Sequence, residues 1–182
     1  MPDDTPMNTP AQSDLGFIFG RRSIRVFQPG EVSDAIVKTL LEAAMAAPSA
    51  VAKDPGRFVV IRERARLGQL AEVLPHGKML ASAAVGIVVC GDLDAAHDRQ
   101  LSYLLQDCSA AIENLLLSVH ALGLGAVWLG IHPREDRIRD VTRLLELPSH
   151  ILPVAGIAMG YPGEVKEPRT RFNPAYVHRE KW

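Results

Sequence analysis

The chain has 182 residues, of which 47% are hydrophobic and 23% are charged, so it can bury the core of one compact domain. Its 20 Lys and Arg residues face 21 Asp and Glu residues, and the net charge of -1 argues against the broad basic surface that duplex nucleic acid requires. No apolar run approaches the roughly 20 residues that span a bilayer, so a transmembrane helix is excluded.

Residues 1–13 are predicted to form a flexible tail. They combine three prolines with polar residues and lack the cationic and apolar regions of a signal peptide. Cys90 and Cys108 lie in apolar segments without CxxC spacing. These features predict a soluble protein of the reducing cytoplasm, with one domain over residues 14–182.

Hydrophobic periodicity predicts helices and short strands that alternate irregularly. Ser33 is placed to cap the first helix, and Pro48 stops it. The predicted elements are a helix from Ser33 to about Ala47, strands at Arg57 to Arg62 and Ala84 to Gly91, a central helix from about Asp98 to Leu122, a strand at Ala126 to Ile131, a helix at Arg134 to Leu145 and a strand at Ile151 to Met159.

From residue 160 to residue 182 the chain is predicted to form an extended arm. Several prolines prevent regular structure there, while side chains such as Phe172, Tyr176 and Trp182 remain apolar. An isolated subunit would expose these aromatic groups. Docking of the arm on a partner subunit is therefore expected, with packing against its own domain as the alternative.

Common catalytic and metal-binding motifs are absent from the sequence. It contains no HExxH, GxSxG or GxxxxGK[ST] pattern, and its six histidines have no metal-like spacing. Gly123 and Gly125 close a helix and open a strand, which is the reverse of the order in a Rossmann turn. Hydrolase and kinase functions lose their main support, and no metal site is predicted.

Two small groups of basic residues suit a phosphate, because guanidinium groups form fixed forks that match phosphate oxygens. The first group is Arg21, Arg22, Ser23 and Arg25, and the second is Lys166, Arg169 and Arg171. A solvated basic turn and a solvated tail are the alternative interpretations of these two groups.

Two further segments could meet a flat ligand. Trp128-Leu129-Gly130 lies at the end of a buried strand, where glycine permits close approach to the backbone, although core packing also explains the tryptophan. Pro48-Ser49-Ala50 follows a helix and is expected to leave its backbone unpaired and available, although most such turns bind only water.

Taken in order along the chain, these segments resemble the flavin-dependent nitroreductase family. The resemblance runs from about Leu15 to Trp182 and is carried by RRSIRVF, by APSA followed by RFVVI, by GLGAVWLGIHP, by GIAMGYPGE and by RTRFNPAYVHREKW. It implies an α+β fold, a three-layer sandwich in which helices flank a mixed, mainly antiparallel sheet. It also implies an obligate homodimer, with the C-terminal arm over the partner and FMN in each of two interface sites.

The resemblance also implies roles for individual residues. Arg21 and Ser23 would hold the FMN phosphate, and Arg22 would lie beside the ribityl chain and phosphate. Arg25 would lie near the N1/O2 edge of the ring. Arg169 and Arg171 would close the phosphate from the C-terminal side. The ring itself would meet Pro48, Ser49 and Ala50, expected from the other subunit, and the backbone of Leu129 and Gly130 at its N5/O4 edge.

No side chain is implied as a catalytic acid, because flavin N5 carries the chemistry. NADH or NADPH would reduce the flavin, which would then reduce a small acceptor such as a nitroaromatic or a quinone in a ping-pong mechanism.

One stretch departs from the family pattern. Family members often continue the Pro-Ser turn as Asn-x-Gln-Pro-Trp, where this chain has Ala52-Lys53-Asp54-Pro55-Gly56. Two amides and one aromatic side chain are missing, so flavin affinity or substrate choice could differ. The alternatives are a non-catalytic FMN-binding or regulatory protein, another flavin chemistry such as dehalogenation or flavin breakdown, and an interaction domain without flavin.

Overall fold

A computed structural model describes residues 15–182, and the structural statements below concern this part of the chain. The predicted tail at residues 1–13 lies outside the described residues. Within residues 15–182, no helix is long and apolar enough to cross a membrane.

Five strands form one sheet that is built around the last of them. They are β1 (Phe27–Gln28), β2 (Gly56–Ile61), β3 (Val85–Asp92), β4 (Gly125–Gly130) and β5 (Ile151–Pro162). Strand β5 pairs with β3 on one side and with β4 on the other, its last two residues pair with β1, and β2 pairs with β3. All these pairs are antiparallel, and an isolated parallel bridge joins Ser23 to Ala126 of β4. Among the described residues, the five-stranded sheet is therefore antiparallel, with one parallel bridge at its edge.

Five α-helices form among the described residues: α1 (Gly16–Gly20), α2 (Asp34–Met45), α3 (Arg64–Val73), α4 (Leu101–Ala121) and α5 (Glu135–Leu145). Helix α1 buries no side chain and packs on α4, whereas the other four helices cover the two faces of the sheet. Side chains of α2 and α4 share one apolar cluster with Ile87, and side chains of α3 and α5 share another with Val88. Because neighbouring strand residues point to opposite faces, Ile87 and Val88 serve different cores. The predicted three-layer α+β sandwich is confirmed.

Most predicted elements are present, with small differences at their ends. Ser33 caps α2, and its Oγ accepts a hydrogen bond from the amide of Ile36 at 3.3 Å. Helix α4 begins at Leu101 rather than at about Asp98, because Asp98 and Arg99 have left-handed φ angles of 50° and 54°. Such angles cannot continue a right-handed helix.

Two helices, α1 and α3, were not predicted from the sequence, and the arm contains more regular structure than its prolines indicate. Helix α3 buries Leu67 and Leu70 at helical spacing, which was an available signal, and α1 is only five residues long. Strand β5 extends through Tyr161 to Pro162, inside the range assigned to the arm, because β1 provides a partner. A short 3-10 turn also forms within the arm at Pro174–Tyr176.

Candidate functional site

The basic segment at residues 21–25 is held as an extra edge beside β4. The amide of Ile24 donates to the carbonyl of Ala126 at 2.9 Å, and the Ile24 side chain is buried against Gly125. A Cβ on Gly125 would lie 2.8 Å from an Ile24 methyl carbon, so this close approach requires glycine. Burial of Ile24 fixes the backbone from which the neighbouring Ser23 and Arg25 project.

The beginning of the C-terminal arm folds back onto the same segment. Glu164 Oε1 accepts hydrogen bonds from the backbone amides of Arg25, at 2.6 Å, and Val26, at 3.3 Å. Lys166 Nζ donates to the carbonyl of Ser23 at 2.7 Å and lies 3.0 Å from Glu164 Oε1. The Arg25 amide, followed by Lys166, lowers the pKa of Glu164 and keeps it ionised. The carboxylate thus acts as a clamp, and this part of the arm packs on its own domain.

These contacts bring the two predicted basic groups into one cleft of about 800 Å³, called the basic cleft. Within residues 15–182, its polar lining consists of Arg21, Arg22, Ser23, Arg25, Lys166, Arg169, Thr170 and Arg171 and contains no carboxylate. Arg22 donates to the carbonyl of Glu167, and Arg21 Nε lies 3.4 Å from Glu113 Oε1. Each of these guanidinium groups retains further N–H donors for a ligand. A phosphate is the natural ligand for such a set of donors.

A neighbouring cleft of about 690 Å³, called the ring cleft, opens at the end of β4. Arg25 lines both clefts and connects them. The other residues lining the ring cleft are Leu74, Pro75, His76, Lys78, Met79, Trp128, Leu129, Gly130 and Arg137. Trp128 is 37% exposed, so it forms part of the wall rather than only filling the core.

Three basic residues of the ring cleft were not predicted from the sequence: His76, Lys78 and Arg137. They come from the loop after α3 and from the first turn of α5, and no local motif connects these segments. Arg137 Nη1 donates to the carbonyl of Gly130 at 2.7 Å, while its buried Nε has no hydrogen-bond partner among the described residues. Only the folded chain places these cations beside Leu129 and Gly130.

The Pro48-Ser49-Ala50 turn lies apart from both clefts within a single chain. Ser49 instead lines a third cavity of about 430 Å³ together with Gly56, Phe58 and Asp107. The expectation that the backbone of this turn is unpaired is wrong for Ala50, whose amide donates to Asp107 Oδ1 at 2.9 Å. Left-handed φ angles at Val51, Ala52 and Asp54 shape the loop that follows.

The two cysteines lie away from these clefts. Both are buried, and the thiol of Cys108 donates to the carbonyl of Cys90 at 3.6 Å. Burial raises the pKa of each thiol to about 12, with a smaller contribution from Asp107 at Cys108 and from Cys108 at Cys90. Both therefore remain protonated near neutral pH, so neither supplies a nucleophile.

The sandwich and its two connected, cation-lined clefts define an α+β protein suited to an elongated ligand with an anionic end. Residues 18–161 match the model of the Nitroreductase family, and the chain belongs to this family.

Relatives and solved structures agree with this membership. The chain is 44% identical over 162 residues to a Methanothermobacter thermautotrophicus protein provisionally named NADH dehydrogenase/NAD(P)H nitroreductase, covering 89% of this chain and 84% of that protein. A crystal structure of a similarly named Parabacteroides distasonis protein covers 93% of this chain and 99% of its own, with 37% identity and a TM-score of 0.87. A provisionally named nitroreductase of Desulfovibrio desulfuricans was solved in complex with FMN. The match covers 97% of this chain and 99% of that one, with 33% identity and a TM-score of 0.80.

Proposed function

We propose that this chain is an NAD(P)H-dependent FMN oxidoreductase that reduces small organic acceptors by a ping-pong mechanism. The observation that carries the proposal is the meeting of two basic groups, some 145 residues apart in sequence, in one cleft that continues into the ring cleft through Arg25. The family membership and the FMN bound to the Desulfovibrio desulfuricans relative support the choice of cofactor.

The donor chemistry of the basic cleft fits the phosphate end of FMN. Arg21 and Ser23 are proposed to bind the phosphate, Arg22 to lie beside the ribityl chain, and Arg169 and Arg171 to close the site. These two arm residues are exposed and, among the described residues, their side chains form no ion pair. Free guanidinium groups beside a cleft without acidic lining favour a dianion.

The ring cleft fits the other end of the same ligand. Arg25 stands at the junction, where its positive charge would stabilise negative charge near the N1/O2 edge of the ring. The backbone of Leu129 and Gly130 is proposed to meet the opposite edge. When bound, FMN supplies the transfer of electrons from NAD(P)H to the acceptor. The chain binds and orients the reactants, and no side chain is assigned as a proton donor.

A second subunit is proposed to complete the site. The Pro48-Ser49-Ala50 turn does not reach the ring cleft within one chain, so its predicted contact with the flavin ring requires a partner. The arm also presents Phe172, Tyr176 and Trp182 to solvent, with Trp182 fully exposed. A homodimer in which each arm covers the partner would bury these aromatic groups.

The test is the visible absorption spectrum after FMN has been added and the protein has been desalted. We expect a retained band near roughly 450 nm that bleaches when NADH or NADPH is added without air. Arg21→Gln should lose the band, whereas Arg139→Gln should keep it, because Arg139 lies on α5 outside both clefts and pairs with Asp140.

The acceptor and the kinetic mechanism are tested separately. Double-reciprocal plots at several concentrations of a nitroaromatic or quinone should give parallel lines. Retained flavin without NAD(P)H oxidation would indicate a binding or regulatory protein, and a colourless protein whose Tm ignores FMN would indicate an interaction domain. Either result would overturn the proposed function.

A further inference from the structure

We propose that the third cavity, which lies between the end of α2, the loop before β2 and helix α4, binds a small organic cation. The ligand is an ammonium or amidinium group joined to one flat ring. Its N–H group would donate to the unpartnered Oδ2 of Asp107, and its ring would pack beside Phe58. This site, called the Asp107 cavity, is independent of the proposed function, and its binding can be measured with or without FMN.

The Asp107 cavity is separate from the two clefts assigned to FMN. Among the described residues, none that lines this cavity also lines the basic cleft or the ring cleft. Ser49 is the one described lining residue that belongs to the turn proposed to meet the partner's flavin. Its hydroxyl donates to Asp54 Oδ1 at 2.5 Å and accepts a hydrogen bond from the Asp54 amide at 2.9 Å. Ser49 is therefore engaged within its own loop.

A buried carboxylate oxygen without a partner is the first observation for the ligand. Asp107 lines the cavity and is 9% exposed, and its Oδ2 has no hydrogen-bond partner within residues 15–182. Its Oδ1 accepts a hydrogen bond from the Ala50 amide, which restricts the side chain. A buried acceptor left unpaired costs free energy. A donor in the cavity therefore gains more from Oδ2 than from a carboxylate in water.

The charges around the cavity determine the charge of the ligand. Two carboxylates, Asp54 and Asp107, line it together with one cation, Arg57. The charge of Arg57 is already compensated, because its Nη2 lies 2.8 Å from Oδ2 of Asp92, which is not among the described lining residues. Its Nη1 donates to the carbonyls of Asp54 and Gly56. The lining is left with negative charge, which favours a cationic donor over a neutral one.

The remaining walls suit a flat ring. They are formed largely by Ala44, Ala47, Phe58 and Ala111. Within residues 15–182, a Cβ on Gly56 would meet only two carbons of the Phe58 ring, both at 3.7 Å, so space is open beside that ring. The aromatic side chain that the family pattern often has at this position is absent here.

The size of the cavity favours an organic ligand over a single water molecule. Its volume is about 430 Å³, within the range of cavities that bind small molecules. A water molecule occupies only about 30 Å³ and needs two to four polar partners, which mainly apolar walls do not provide. A ring that carries one cationic donor matches both the walls and Asp107.

Binding is measured by NMR of the full-length protein with carbon-13 in its methionine methyl groups. Of the five methionines, Met45 lines the Asp107 cavity and Met79 lines the ring cleft, so their signals distinguish the two sites. Met45→Leu and Met79→Leu assign these signals. The probes are benzamidine, a cation at neutral pH, and the neutral, nearly isosteric benzamide, each titrated with and without FMN.

The expected result is a saturable shift of the Met45 signal, with the Met79 signal unchanged. We expect a Kd on the order of 1 mM for benzamidine, as for a one-ring ligand with one strong polar contact. Benzamide should bind about tenfold more weakly, the lower range for a hydrogen bond to a charged group.

Two carboxylate variants locate this preference. Asp107→Asn removes the charge, while its side-chain oxygen can still accept the bond from the Ala50 amide. The preference for benzamidine should then fall to about twofold or less. Asp94→Asn is the matched control, because Asp94 pairs with Arg99 and is not among the described lining residues. It should keep the full preference.

Two substitutions at Gly56 test the shape of the cavity independently. Gly56→Trp should fill the space beside Phe58 and abolish the Met45 shift with both probes. Gly56→Ala should retain the shift, because one methyl group leaves most of the space open. The Tm of each variant is measured alongside to show that it is folded.

Several results would overturn the proposal. They are the absence of a saturable Met45 shift, equal affinity for the two probes, a shift of Met79 in place of Met45, and a preference that survives Asp107→Asn. An unchanged Met45 shift in folded Gly56→Trp would also overturn it. Failure of the proposed function has a different signature: the protein would not retain FMN, yet the preference for benzamidine and its loss in Asp107→Asn would remain and support the site.

Discussion

A hydrogen bond between Asp107 and Ala50 connects the central helix, α4, to the Pro48-Ser49-Ala50 turn: Asp107 Oδ1 accepts it from the backbone amide of Ala50 at 2.9 Å. Asp107 is 9% exposed, and its Oδ2 has no hydrogen-bond partner among the described residues. A buried carboxylate on α4 therefore holds the turn that is proposed to reach the partner's flavin ring.

Replacing this carboxylate should loosen the turn. We expect Asp107→Ala to lower the free energy of unfolding by about 1–3 kcal/mol, because the Ala50 amide loses its acceptor. Asp107→Asn should cost less, since its side-chain oxygen can still accept the bond. Urea unfolding measures both, and equal losses in the two variants would show that the hydrogen bond contributes little.

Gly125 tests the close contact that supports the basic segment. Gly125→Ala should lower the free energy of unfolding by about 1–3 kcal/mol, because the new methyl group would meet Ile24 at 2.8 Å. The displaced segment should also retain less FMN. Gly68→Ala is the control: no atom of the described residues lies within 4 Å of a Cβ there, so it should stabilise α3 by about 0.5–1 kcal/mol. A tolerated Gly125→Ala would argue against tight packing of Ile24.

The two buried cysteines should not react with thiol reagents in the folded protein. We expect neither Cys90 nor Cys108 to react with dithionitrobenzoate in the native protein at pH 8, and both to react in urea. Burial raises the folded pKa of each from 9.0 to about 12, so between these values the unfolded chain binds fewer protons. The free energy of unfolding should therefore fall as pH rises from about 9 to about 12. Double replacement by alanine should flatten that slope, and an unchanged slope would assign it to other groups.

Lys166 should govern the mobility of the arm. Lys166→Met removes the bonds to the Ser23 carbonyl and to Glu164, so proteinase K should cleave the arm severalfold faster while the core remains intact. Lys53→Met is the control for loss of one charge, because the Lys53 side chain is exposed and forms no hydrogen bond or ion pair with the described residues. Equal cleavage of the two variants would show that Lys166 does not hold the arm.

Gly56 should accept the aromatic side chain that the family pattern often has there. Among the residues that the structure describes, a Cβ at Gly56 would meet only two Phe58 ring carbons, both at 3.7 Å, and the adjoining cavity has a volume of about 430 Å³. Gly56→Trp should raise Tm by about 2–4 °C by filling part of this space. Gly91→Ala provides the contrast, because its methyl group would overlap the Leu104 side chain and should destabilise the fold. A lower Tm in Gly56→Trp would mean that the cavity cannot receive a ring.

Some features of the fold are visible in the sequence because they depend on neighbours within a few turns. The cap at Ser33 and the long apolar stripe of α4 are local signals, and both elements form. Helix α3 shows the limit of this approach. Charged residues and Gly68 interrupt its apolar face. Leu67 and Leu70 stabilise the helix only by packing against the sheet, which a local pattern does not show.

By itself, the sequence determined the order of the main helices and strands, the family resemblance and the residue types available for a phosphate. Only the tertiary structure decided that Lys166 donates to the carbonyl of Ser23, that Arg25 lines two clefts and that Arg137 donates to the carbonyl of Gly130. The physical reason is range: periodicity and capping act over a few residues, whereas a cleft forms when the sheet brings distant segments together. Charges scattered along the chain have no common ligand until burial of the core fixes the distances between them.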